Sequence, residues 1–177
     1  MPDLQPTLIG ETVELRPTVS GDWTALFAVA SDPGIWAIHP AHDRWQEPVF
    51  RRYFDDALAS GGGLTIRHRA TGRVIGASRY RIDPDNPQAC EIGWTFLARD
   101  HWGAGTNREM KALMIRHILQ WFDVATFHVG ETNIRSRRAM EKIGGVLSDR
   151  TSTAVLADGP VVHVIYDIGR DAEIARA

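Results

Sequence analysis

The sequence predicts an α/β fold in which a mostly antiparallel sheet carries helices inserted between its strands. Three observations predict it. Alternating segments at 64 to 69, 73 to 82 and 90 to 98 follow one another with only turns between them, the pattern of an antiparallel meander. From Thr106 the apolar period becomes that of a helix. A strand, a second helix and a hairpin then finish the chain. With 177 residues and 44% hydrophobic content, the whole of 1 to 177 fits one domain that buries roughly two thirds of its unfolded surface.

Taken in order, "ETVELRP" (11 to 17) alternates and stops at Pro17, as a strand entering a turn does. Ser20 is placed to cap a helix from about Gly21 to Ala30, with Trp23, Leu26, Phe27 and Ala30 at helical spacing. A second helix covers about 47 to 59, with Phe50, Phe54, Ala57 and Leu58 as its apolar stripe, and "SGGG" ends it. "LTIRHR", "RVIGASRYRI" and "CEIGWTFLA" are the meander, joined by "ATG" and "DPDNPQ". In the next helix Met110, Leu113, Met114, His117, Ile118 and Trp121 form one stripe, with Arg108, Lys111 and Arg116 off it. "ATFHVGE" (125 to 131) is a strand, Asn133 caps the helix "IRSRRAMEKI", and Gly144 closes it. "GVLSDRTSTAVLA" and "VVHVIYDI" flank the turn Asp158-Gly159 as a hairpin.

Charge and cysteine usage narrow the function classes. A formal charge of −2, from interspersed acids and bases, gives no general basic face for nucleic acid. The single cysteine, Cys90, forms no internal disulfide, and no signal peptide is legible at the N-terminus. No apolar run approaches the ~20 residues of a membrane helix, so a cytoplasmic protein without a membrane partner is expected.

The segment "WGAGTNREMK" (102 to 111) carries the functional signal. A glycine turn at a helix start leaves backbone N–H groups unpaired at the positive end of the helix, and without Cβ atoms at Gly103 and Gly105 an anion can approach them. A Walker loop needs Gly-Lys-Ser or Gly-Lys-Thr, but Thr106 and Asn107 follow Gly105. A dinucleotide fingerprint needs a third glycine where Arg108 stands. A glycine loop that merely turns is the plain alternative.

The turn, with "NIRSRRAMEKIG" (133 to 144), "IGETVELRP" and "EIGWTFL" at matching spacing, resembles the GNAT acetyltransferase superfamily, and more closely its RimJ/RimL-like branch. The resemblance covers nearly the whole chain. It implies a mixed, mostly antiparallel sheet of about seven strands flanked by about four helices, with a splayed strand pair holding CoA. It implies an N-acetyltransferase that takes acetyl-CoA as co-substrate, needs no metal, and acetylates a protein N-terminus or a small-molecule amine by direct attack. A non-catalytic acyl-CoA sensor is the reading from another class, and a homodimer is left open.

By the same resemblance, Phe96, Leu97 and Ala98 lie along the pantetheine arm, and Trp102, Gly103, Ala104, Gly105, Thr106 and Asn107 hold the phosphates. Asn133 belongs to the cofactor site, and Arg135, Arg137 and Arg138, with Arg138 as the candidate, either reach the nucleotide's 3′-phosphate or form a solvated basic helix face. Two residues depart from the superfamily motif: Trp102 replaces Gln or Arg, and Asn107 replaces Gly or Ala. Binding through backbone N–H groups survives both.

Glu91, eleven residues before Trp102, matches the strand position of a general base; its alternative is an ion pair with Arg79 or Arg81. The usual acid, a tyrosine, is replaced by Met140, and Ser136 resembles the serine that meets the thiol; its alternative is a hydroxyl bonded to a carbonyl one turn back. Trp36 and His163 are the acceptor-site candidates; their alternatives are a tryptophan that covers the core and a histidine that is packed or hydrogen-bonded. His39 and His42, in "HPAHDRW", are expected to be solvated loop histidines and not metal ligands.

Overall fold

A computed structural model describes residues 1–176. Among them, eight strands make one sheet: β1 (Leu8–Ile9), β2 (Val13–Pro17), β3 (Gly63–His68), β4 (Val74–Ile82), β5 (Ala89–Leu97), β6 (Val124–Gly130), β7 (Val146–Leu156) and β8 (Gly159–Gly169). The helices are α1 (Trp23–Ala30), α2 (Pro33–Trp36), α3 (Glu47–Ala59), α4 (Thr106–Ile118), α5 (Ile134–Lys142) and α6 (Glu173–Arg176). The spatial order is β1-β2-β3-β4-β5-β6-β8-β7, and every neighbouring pair is antiparallel except β5 with β6. The parallel pair requires a crossover, which α4 supplies.

Most boundaries follow local pattern, and the departures have local causes. The eighth strand, β1, is two residues long and pairs only with β2, too short to show any alternation. Two single-turn helices, α2 and α6, raise the count above four. Pro33 begins α2, and the Asp32 carboxylate accepts the Gly34 N–H. Ser20 does not cap α1. A 3-10 turn at Ser20–Asp22 leads into the helix, and the Asp22 carboxylate accepts the Val19 N–H while pairing with Arg16.

Two apolar clusters hold the sheet. One joins Leu15, Ile66, Tyr80, Ile92 and Phe127 to Met110, Met114 and Ile118 of α4 and Met140 of α5. The other joins Ala77 and Phe96 to Leu26, Trp36, Phe50 and Phe54 of α1 to α3. The facing of β5 switches along its length: Cys90 and Ile92 belong to the α4 cluster, yet beyond them Leu97 does so and Phe96 does not. A β-bulge makes the switch. Ala77 pairs with Phe96 but Arg79 with Gly93, so β5 carries one extra residue there, and Trp94 takes φ +52°.

This bulge opens the sheet. β5 and β6 share only three registered pairs, Ala89 to Glu91 with Val124 to Thr126. Beyond Glu91 each strand stays with its other neighbour, β5 with β4 as far as Leu97 and β6 with β8 as far as Gly130. The two strands part as expected for the splayed pair. No helix among the described residues is long and apolar enough to cross a membrane.

Candidate active site between the splayed strands

A cavity of about 760 Å³ fills the opening, walled by Ile92 to Leu97 of β5 and Phe127 to Gly130 of β6 and reached by α4 and α5. Phe96 and Leu97 line it. Ala98 does not: it lies in the core, and its N–H donates to the Ile75 carbonyl, so no hydrogen bond from it remains for a bound arm.

The glycine turn stands at one end. Gly103 and Gly105 have φ +78° and +81°, the left-handed region, and a Cβ on either would meet nothing within 4 Å. Glycine is therefore required for the backbone conformation more than for space. The first helical bond runs from the Glu109 N–H to the Gly105 carbonyl, and the N–H groups of residues 103 to 108 have no protein partner among the described residues. A helix N-terminus with this many unpaired N–H groups is able to take an anion. Gly103, Gly105 and Asn107 line the cavity, Thr106 is buried, and Ala104 is exposed on the turn. Trp102 anchors the turn: its indole N–H donates to the Leu97 carbonyl at 3.0 Å, and the Arg135 guanidinium stacks 3.9 Å over its ring.

α5 approaches from the other side. The buried Asn133 caps it, with Oδ1 accepting the Ser136 N–H at 3.2 Å. Ser136 lines the cavity, and its hydroxyl has no bond to a carbonyl one turn back among the described hydrogen bonds. Met140 lines it as well, without a proton to donate. The three arginines divide: Arg135 and Arg138 line the cavity, whereas Arg137 turns to the Tyr166 hydroxyl and the Glu131 carbonyl.

Trp36 and His163 both line the cavity, away from the turn in sequence and on separate elements. Trp36 is buried, its indole N–H donating to the Ala30 carbonyl at 2.7 Å. The expectation of solvated loop histidines holds for His42, which is exposed and paired with Asp158 at 2.5 Å, and fails for His39. His39 lines the cavity, its Nδ1 accepts the Ala41 N–H, and burial pushes its pKa down to about 3. It is a neutral imidazole with its hydrogen on Nε2. No sequence spacing marks this role, because the chain from 37 to 46 has no periodic structure.

Glu91 is buried on β5 and held by Arg81, whose Nη2 and Nε lie 2.5 and 2.9 Å from Glu91 Oε2. Of the two arginines weighed as partners, Arg81 forms the pair; Arg79 bonds to the Tyr53 carbonyl and stacks 4.8 Å from the Trp94 ring. Glu91 is not among the cavity-lining residues, but its charge acts on His163, raising a pKa that burial lowers.

Lys111 is the largest departure. Placed off the apolar stripe by sequence, it is buried, donates to Thr95 Oγ1 at 3.1 Å, and lines the cavity. Burial alone pushes its amine down to about 7. The only sequence signal was its place one residue beyond Met110, at the margin of the buried face. The lowered pKa gives a stability prediction. The unfolded chain binds a proton at Lys111 up to its ordinary value of 10.5, so wild-type stability rises as pH goes from about 7 toward 10.5. Lys111→Met removes the penalty and is expected to stabilise the fold at pH 7 by on the order of a few kcal/mol, with a flatter profile. Urea unfolding from pH 6 to 10 measures both; equal slopes for the two proteins would show that Lys111 is solvated.

Among the described residues, no group of three or more His, Cys, Asp or Glu side chains is placed to hold a metal ion. The cavity lining contains Arg108, Lys111, Arg135, Arg138 and Lys142 and no carboxylate.

Parallel strands that part beside a helix N-terminus with unpaired N–H groups are the geometry of this site, and the family match makes the chain an acyltransferase. Residues 12–146 match the family described as acetyltransferase (GNAT) domain, and the chain belongs to that family of acetyl-CoA-dependent enzymes. No curated protein matches the sequence. Among solved structures, a GCN5-related N-acetyltransferase from Brucella melitensis is similar with TM-score 0.82 at 18% identity, over 97% of this chain and 83% of that one. A GNAT-family acetyltransferase from Bacillus anthracis is similar with TM-score 0.76 at 15% identity, over 94% and 99%. The microcin C7 self immunity acetyltransferase MccE, solved with acetyl-CoA and AMP, is similar with TM-score 0.75 at 13% identity, over 94% and 98%. They share the fold.

Proposed function

We propose that this enzyme, of the RimJ/RimL-like branch, transfers the acetyl group of acetyl-CoA to a primary amine by direct attack in a ternary complex. The observation that carries the reading is the run of unpaired N–H groups at residues 103 to 108, opening into a cavity between β5 and β6. The cradle and Arg138 suit the phosphates, the Phe96 and Leu97 edge suits the pantetheine arm, and Asn133 fixes the start of α5. Direct attack is supported by Cys90: it is buried, burial pushes its thiol up to about 12, and it does not line the cavity. A thiolate intermediate there is out of reach near neutral pH.

The lining selects among acceptors. The lining offers no carboxylate, so nothing in it draws a polycation. An α-amine, with pKa ~8, also deprotonates more readily than a lysine at ~10.4. The favoured acceptor is therefore the α-amine of a peptide or amino acid, with Trp36 and His163 at the acceptor end. Release of CoA thiol, measured with a panel of α-amines, lysine analogues and polyamines, tests this reading. Turnover only with polyamines would overturn the acceptor class, and no release with any amine would leave a sensor.

Glu91 is assigned as base through a relay, with a water or His163 between it and the amine. Glu91→Gln is expected to lower the acetylation rate and flatten its rise with pH while barely changing acetyl-CoA affinity. A wild-type rate and profile would make Glu91 a structural partner of Arg81.

A further inference from the structure

Five cationic side chains line the cavity, and they divide sharply by exposure. Arg108, Arg135, Arg138 and Lys142 are exposed at its rim, while Lys111 is buried. The Lys111 amine bridges the opening: it bonds to Thr95 of β5 at 3.1 Å and stands 4.8 Å from the Phe127 ring of β6. It has no salt-bridge partner among the described residues. A buried cation without a counter-charge is costly, so such a site favours a ligand that brings the anion with it.

Besides the transient oxyanion at the attacked carbonyl, the reaction supplies the phosphates and the leaving sulfur. The phosphates are met by the turn and the rim cations. The thiolate released when the C–S bond breaks needs a proton, and Met140 has none to give. We propose that Lys111 is the proton donor to the leaving sulfur of CoA. This rests on the reading of the cavity as the acetyl-CoA site. As the acceptor nitrogen bonds to the carbonyl carbon, the C–S electron pair goes to sulfur and Lys111 Nζ passes it a proton. Lys111 is left as a neutral amine and is reprotonated from solvent, and the acceptor's surplus proton leaves through water. Ser136 orients the sulfur by a hydrogen bond.

The amine suits the task, because burial brings it to about 7, below a thiol at ~8.5. The other ionisable groups that line the cavity are His39, His101, His128, His163 and the four rim cations, and none of them is among the causes of that shift.

The chain has two lysines, Lys111 and Lys142, so lysine-selective isotope labelling resolves both by NMR, with Lys142 as internal control. The full-length protein is titrated free, with CoA, and with desulfo-CoA. We expect CoA to add to the Lys111 titration a second step above the free value, and desulfo-CoA to add none, because only the part of the ammonium that faces a thiolate is held to higher pH and that needs the sulfur. In parallel, the ultraviolet absorbance of the thiolate should show bound CoA titrating about one unit or more below free CoA in the wild type, and at its free value in Lys111→Met. Identical Lys111 titrations with CoA and desulfo-CoA, or an unchanged thiol titration in Lys111→Met, would overturn the assignment. Acetylation of Lys111 itself by acetyl-CoA, seen by mass spectrometry, would mark a nucleophile and also overturn it. If calorimetry shows that CoA does not bind the wild type, the site reading fails; binding with an unmoved thiol sinks only the role of Lys111.

Discussion

Ser136→Ala is expected to slow the chemical step of acetylation by about one to two orders of magnitude, the range for losing one transition-state donor. Ser136 is the N3 residue of α5, held there by the Asn133 cap, and it faces the cavity. Its position within the first helical turn lets the positive end of α5 stabilise the thiolate while the hydroxyl donates a hydrogen bond. The hydroxyl is not engaged with the preceding turn, so its removal leaves the helix bonds intact. Acetyl-CoA affinity should fall only slightly. Single-turnover acetylation with the acceptor found in the amine panel is the measurement, and a mutant as fast as wild type would leave the serine without a part in the chemistry.

Gly105→Val is expected to weaken acetyl-CoA binding by about 1 to 3 kcal/mol for each charge-assisted hydrogen bond lost. The cause is conformational. Gly105 is the N-cap of α4 at φ +81°, with open space where a Cβ would lie, so the new side chain strains the backbone without a clash. Relief of that strain turns the Thr106 and Asn107 N–H groups away from the cradle. Gly105→Asn, which tolerates the left-handed region, should lose much less. Calorimetry on folded mutants separates the two, and unchanged affinity in the valine mutant would remove the turn from the site.

At the glycine turn the structure adds a reason for the glycines that the sequence did not show. Two glycines at a helix mouth are legible in the sequence as a cradle, with the close approach of an anion as their reason. The backbone angles explain them better: both glycines are in the left-handed region, in a turn that the Trp102 indole ties to the Leu97 carbonyl. The Asn133 cap, Ser136 at N3 and Met140 in the usual tyrosine place were also legible, because capping is a local interaction within a few residues. His39 was not: its environment comes from an aperiodic segment folded over the cavity, with Trp36 packed against it and His163 acting on its charge.

Element order, the start of α4, the α5 boundaries, the hairpin at Asp158 and the glycine turn follow from periodicity, capping and turn chemistry, all interactions between near neighbours in the chain, whereas the stripe drawn on to Trp121 overruns α4, which ends at Ile118 and leaves Trp121 exposed. The parting of β5 from β6 needed one more residue in β5 than its partner matches, a register fact that exists only once strands pair. The same holds for charge. Glu91 became half of an ion pair because β4 laid Arg81 opposite it. Lys111 became a buried amine because α4 packs across the splayed strands and brings Thr95 and Phe127 to it. Burial and pairing are properties of residues distant in sequence, and it is they, not residue type, that set the protonation of the groups in this cavity.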